Sequence, residues 1–256
     1  MPTALRPLLT IATVAALGLG ATACGSHSEA TPRGTASASA ATHGVDVASL
    51  PPATKAELTA ATITTSDVSA LGMTVKAPLP YSALIWPFTS PVTSYGACAP
   101  IQAALQAGAP TYPVGATNDI NVTQAGVADS MTSIHLAAYS GRSAVAFLTT
   151  LTSALQTCHA YDMDGKSGRY HQAISPLALD VGDQSVSWDQ TDTFYPSRTP
   201  AKGDTGQTLS YSVVRVGSTV ITVVVDPPTS TKTAPVPPPN SSLLSAQINR
   251  IRSRIH

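Results

Sequence analysis

The stretch that decides the fold is LSYSVVRVGSTVITVVV, Leu209 to Val225. Two runs rich in β-branched residues, Leu209 to Val216 and Thr219 to Val225, flank Gly217-Ser218. A two-residue loop that opens on glycine between such runs is a strong hairpin signal. Upstream of the hairpin, Tyr170 to Ala178 and Gln184 to Tyr195 have the same β-rich character and read as strands. In Met131 to Tyr139, the residues Ile134, Leu136 and Ala138 share one side while His135, Ala137 and Tyr139 share the other. That alternation predicts another strand.

The period then changes. Val145, Leu148, Leu151, Leu155 and Cys158 recur at helical spacing, which predicts an amphipathic helix from Gly141 to Thr157 with Cys158 on its buried face. Pro100 sits where a helix start tolerates proline, Ile101 and Leu105 share a face, and Gly108 closes this second helix. Near the start of the domain, Thr65 or Ser66 is expected to cap a short helix ended by Gly72. Val75 to Ala97 is rich in proline and aromatics, and Pro87 and Pro91 exclude a long helix there. Pro227 to Pro239 reads as an extended connection to a last helix whose apolar stripe is Leu244, Ile248, Ile251 and Ile255. Strands in neighbouring runs with helices at the edges predict a single α+β domain. The expectation is a largely antiparallel twisted sheet, helices packed on one side, and one disulfide.

The N-terminal region carries a different signal. Arg6 gives a positive start, Leu8 to Leu19 an apolar stretch, and Ala21-Thr22-Ala23 places small residues before Cys24. This resembles the lipobox of bacterial lipoproteins, although Ala21 stands where leucine is usual. The resemblance implies diacylglyceryl transfer to the Cys24 thiol and cleavage before it. Residues 1–23 are then the signal peptide, 24–53 the lipidated cysteine and a flexible Ser/Ala/Thr/Gly/Pro tether, and 54–256 the folded domain. An ordinary secretory signal cut near Ala21 to Ala23 is the alternative. About a dozen apolar residues fall short of the roughly 20 that a membrane span needs, whereas acyl chains suffice as an anchor. The predicted location is the extracellular face of the cell membrane, with the tether holding the domain on the order of 30 Å away.

Three cysteines in an exported chain leave one over once a disulfide forms, and lipidation of Cys24 removes the odd one. Cys98 and Cys158 are then expected to pair, two buried free thiols being the alternative.

Fourteen basic and fourteen acidic residues in 256 give no net charge, and only 11% of residues are charged. Nothing here favours nucleic acid. The Ala, Ser, Thr and Pro content is common among high-GC bacteria. The sequence contains no nucleophile elbow, phosphate loop, paired metal ligands or Ser-x-x-Lys pattern in a supporting setting. No enzyme, metal or cofactor is expected. Of six histidines only His135, His159 and His171 lie where the fold can bring them together, at no characteristic metal spacing. Asp162-Met163-Asp164-Gly165 is a fragment of a calcium-loop pattern without the later ligands, and reads as a polar turn. Arg250, Arg252 and Arg254 are scattered around the last helix. Tyr81, Trp86, Phe88 and Tyr95 are the candidate ligand-facing wall, since aromatic side chains give contact area at low entropy cost. Core filling is the plainer alternative.

Leu58-Thr59, Asp67-Val68, Cys98 before a helix, Ala144 to Cys158, Val181-Gly182-Asp183 and Val214-Arg215-Val216-Gly217 occur in this order. Together they resemble the extracellular sensor domain of the mycobacterial PknH-type serine/threonine kinases, a domain found also in many actinobacterial lipoproteins. The resemblance runs from Lys55 to His256 and implies an α+β fold with a disulfide-braced groove for a ligand. One candidate disulfide stands here in place of the kinases' two, with no kinase part. The functional expectation is a binding or sensing module, held on the membrane through Cys24, that takes a small ligand or envelope component and passes its state to a membrane protein. A lipid carrier is a second reading. An envelope-polymer hydrolase is a third, and it requires Asp183, Asp189, His135 or His171 to converge in one cleft.

Overall fold

The β-rich runs form one sheet because each exposes a complete row of backbone donors and acceptors that only a neighbouring strand satisfies. The computed structural model of the chain describes residues 49–77, 92–105, 112, 114–126, 131–165, 168–195, 204–226 and 241–255. The signal segment, Cys24 and its tether up to residue 48, Tyr81, Trp86, Phe88, Gly108 and the 227–239 connection lie outside the described residues.

Among the described residues there are eight strands: β1 (Met73–Lys76), β2 (Ala116–Gln124), β3 (Met131–Ala138), β4 (Ala160–Gly165), β5 (Gly168–Leu177), β6 (Gln184–Tyr195), β7 (Asp204–Val216) and β8 (Thr219–Asp226). The order across the sheet is β1-β2-β3-β8-β7-β6-β5-β4. Every neighbouring pair is antiparallel. After β3 the chain crosses to the far edge through helix α4 (Gly141–Thr157), and β4 to β8 meander back until β8 closes against β3. The predicted hairpin is β7–β8, turning on Gly217 at φ 59°. Its Val216↔Thr219 register leaves Gly217 and Ser218 as the two loop residues.

The remaining helices are α1 (Lys55–Ala60), α2 (Thr65–Val68), α3 (Ala99–Leu105) and α5 (Ser241–Arg254). Helix α1 starts with a reciprocal cap in which the Thr54 N–H donates to Glu57 Oε2 (2.7 Å) and the Glu57 N–H to Thr54 Oγ1 (3.2 Å). The cap of α2 is Thr64, one residue before the expected position; its N–H and hydroxyl donate to Asp67 Oδ2 at 2.7 and 2.8 Å. The segment entering the domain is fastened as well. The Gly141 N–H donates to Leu50 O (3.0 Å) and Ser218 Oγ donates to Pro51 O (3.0 Å).

The fold class holds, but the helices lie on both faces of the sheet where the sequence placed them on one. Helices α3 and α4 cover the face that presents Ala137, Trp188, Tyr211, Val213, Val220 and Val224. On the opposite face α1, α2 and α5 cover Ile134, Leu136, Val214, Val216, Ile221 and Val223. The reason is visible in β8, where Val220 and Val224 point one way while Ile221 and Val223 point the other. A strand apolar on both faces needs two layers of cover.

The last helix docks back as its stripe predicts, with Leu244, Ile248 and Ile251 buried. Gln247, which the stripe does not mark, is fully buried too; it accepts from the Ile63 N–H (3.2 Å) and donates to Ala61 O (2.8 Å), tying α5 to the α1–α2 link. Asp162 to Gly165 is not a turn but belongs to strand β4, with Met163 in the core. The polar residues conceal this because their partners lie on the next strand: Asp162 meets His171 Nδ1 (2.7 Å) and Arg169 Nη1 (3.6 Å) of β5.

Candidate functional site

Helix α4 ends where Cys158 bonds to Cys98, at a Cα–Cα distance of 5.1 Å and a sequence separation of 60. Cys98 closes the 3-10 segment Val92–Cys98 that leads into α3, so the bond fixes the C-terminal end of α4 to a second element. Beside that fixed end lies a cleft of about 470 Å³, open to solvent. One wall is the last turns of α4, contributing Thr152, Leu155 and Gln156; the other is the end of β5 and the link to β6, contributing Pro176 to Asp180, with Val186 between them. This volume lies within the usual range for small-ligand sites, about 300 to 1,000 Å³.

The second wall is rigid, for reasons that the Val181-Gly182-Asp183 and Val214-Arg215-Val216-Gly217 motifs supply. Gly182 adopts φ 70°, and a Cβ there would stand 2.5 Å from Val214 Cγ1 and 2.8 Å from Arg215 O. Only glycine fits both the conformation and the space. The Asp183 N–H donates to Arg215 O (2.9 Å), while its carboxylate accepts from the Gly217 N–H (2.7 Å) and from Arg215 Nη1 (3.3 Å). Arg215 also donates from Nη1 to Gly217 O (2.9 Å) and from Nε to Gln184 Oε1 (2.7 Å). Ser185 Oγ accepts from the Val181 N–H (3.2 Å) and donates to Leu179 O (3.0 Å). The wall is therefore bonded to the β7–β8 hairpin.

The cleft also coincides with a gap in the sheet edge. Strand β4 pairs with β5 only up to Ala173, and beyond the Ile174 N–H bond to His159 O (2.8 Å) no described strand continues along Ser175 to Leu177 on the side away from β6. Pro176 has no N–H to offer there, which blunts the edge against strand addition.

No protein-family model and no curated protein sequence matches the chain. Among solved structures it is similar to the extracellular domain of PknH from Mycobacterium tuberculosis, at 13% identity and a TM-score of 0.45, over 79% of this chain and 98% of that one. It is also similar to an uncharacterized protein of Mycobacterium smegmatis, at 13% identity and a TM-score of 0.41, over 73% and 95% of the two chains.

Of the four aromatic candidates, Tyr95 is described: it is buried beside the disulfide, its ring 5.4 Å from that of Tyr161, and it is not among the residues lining the cleft. Next to this pair sits a polar group of residues that no motif announced. Gln102 of α3 donates to the Tyr161 hydroxyl, which stands 3.5 Å from Gln190 Oε1, and Gln190 Nε2 stands 3.5 Å from Asp192 Oδ1. Burial pushes the Asp192 carboxyl up to about 6, against the opposing effect of hydrogen bonds from Gln172 and Gln190. Burial also raises the Tyr161 hydroxyl.

The residues a hydrolase would need are dispersed. His135 on β3 bonds Asp119 (2.5 Å), His171 on β5 bonds Asp162, Asp183 bonds Arg215, and Asp189 on β6 accepts from Ser210 Oγ (2.6 Å). Strands β8, β7 and β6 separate the two histidines. Among the described residues no three His, Cys, Asp or Glu side chains gather around a common point, and no helix is long and apolar enough to cross a membrane. Arg250 and Arg252 face Asp67 (3.6 Å) and Asp183 (3.4 Å), so two of the three C-terminal arginines have partners within the chain.

Proposed function

We propose that the chain is an exported lipoprotein, acylated on Cys24, whose domain holds a small ligand in the cleft beside α4 and acts as a binding or sensing module at the outer face of the cell membrane. The observation that carries this reading is the cleft itself: an apolar hollow between a disulfide-fixed helix end and a wall bonded to the sheet. Preformed, mostly apolar hollows with a few polar groups at the rim are what small-ligand sites look like. The disulfide suits an oxidising compartment outside the cytoplasm. Ala21-Thr22-Ala23-Cys24 supplies the anchor, and a membrane protein that senses the loaded state is the partner. The open shape and modest volume favour a small ligand over the enclosed tunnel a lipid carrier would use.

The test pairs two readouts on the full-length chain produced in a bacterial host that acylates lipoproteins. Thermal unfolding is followed against cell-wall fragments and lipids, for the natural protein and for Leu177→Ser, which removes apolar surface from the cleft. A ligand that raises Tm in the former and not in the latter is expected. No shift with any compound removes the binding role. Intact mass is expected to show an acylated N-terminus at Cys24, and a non-acylated chain released into the medium removes the anchor.

A further inference from the structure

We propose that the cleft selects an amphiphile with an aliphatic chain and a single cationic head, a protonated amine, over neutral or anionic amphiphiles of equal length. This deepens the reading of the cleft as the ligand seat and rests on it. The floor is aliphatic throughout: Leu155, Pro176, Leu177, Leu179 and Val186 supply it, with no aromatic ring. Leu177 is 36% exposed, which makes it the exposed large hydrophobic side chain among the described residues and leaves apolar area for a ligand to cover.

Two independent features make the polar side of the cleft negative. Asp180 is the one charged residue of the lining, and no lysine, arginine or histidine accompanies it. Across from it, the 17-residue helix α4 brings its C-terminal end to the cleft with no basic residue in its last turn. The unbonded carbonyls of a helix C-terminus carry partial negative charge and favour a cation. Arg215 and Arg252 lie against Asp183, and none of the three is among the residues lining the cleft. An extended peptide is the poorer occupant, because Pro176 withholds the donor that strand addition along β5 would use.

Titration calorimetry of the full-length chain with octylammonium, octanol and octanoate at one low ionic strength tests the selection. The amine is expected to bind about tenfold more tightly than the carboxylate, with the alcohol between them, and added salt is expected to narrow the spread. Asp180→Asn is expected to reduce the amine's advantage over the alcohol to about twofold, the remainder coming from the helix end. Leu177→Ser is expected to weaken all three. If octanoate binds as well as octylammonium, the charge selection is wrong and the cleft still stands as a seat. If none of the three binds, or Leu177→Ser changes nothing, the cleft reading itself fails.

Discussion

Asp192 is a carboxyl group placed where ionisation is costly. Its ordinary range is near 3.8, and burial lifts it to about 6 in the folded chain. The folded state therefore holds the proton more tightly than the unfolded chain between those values, and stability falls as pH rises from about 4 to about 6, then levels off. At about 1.36 kcal/mol for each pKa unit the loss is at most about 3 kcal/mol. Asp192→Asn removes the slope, so the difference between variant and natural protein in urea-denaturation stability is expected to favour the variant at pH 7 and to shrink towards pH 4; a pH-independent difference would count against the assignment. Glu57 and Asp67, both lowered by bonds to their capping threonines, contribute in the opposite sense and are common to both proteins. None of this was legible in the sequence, because the burial of Asp192 comes with tertiary neighbours such as Gln172 and Gln190. Gly182 and Asp183 were legible as a motif, but their purpose emerges only from the hairpin they meet.

Among the elements, α4 was read almost to the residue, since seventeen residues repeat one stripe. The buried set includes Ala144 and Phe147 alongside Leu148, Leu151 and Leu155. Strands β2 and β4 are not legible in the sequence because they lack such a repeat. In β2 only Ile120 and Val122 are deeply buried apolar positions, and β4 carries two aspartates, so neither shows a period that outweighs its polar residues. The Cys98–Cys158 bond fixes the end of α4 against its neighbour, and in the chain-entropy account a closed loop of this length restricts the unfolded state by about 4 kcal/mol. Cys98→Ser with Cys158→Ser is expected to lower Tm by roughly 10 °C in thermal unfolding followed by circular dichroism. An equal Tm with and without the bond would show that the cleft is not braced by it.

For the whole molecule, the sequence predicted the sheet and its antiparallel sense but not the strand order, because the crossing from β3 through α4 to the opposite edge is a long-range event with no local mark. Nor did it reveal two helical layers, although Thr219-Val220-Ile221-Thr222-Val223-Val224 is apolar on both sides. Once β8 is known to lie between β3 and β7 with helices above and below, it becomes the most protected strand. Native-state hydrogen exchange followed by mass spectrometry is expected to be slowest in β8, β7 and β3, and faster by orders of magnitude in the edge strands β1 and β4. Uniform exchange across the sheet would contradict this layering. The fastening of Leu50 and Pro51 adds a mechanical consequence. A pull applied from the N-terminal side would reach the body at the head of α4 and at the hairpin turn between the two central strands. Load would enter through the middle of the sheet, sparing the weak outer strands from being peeled away first.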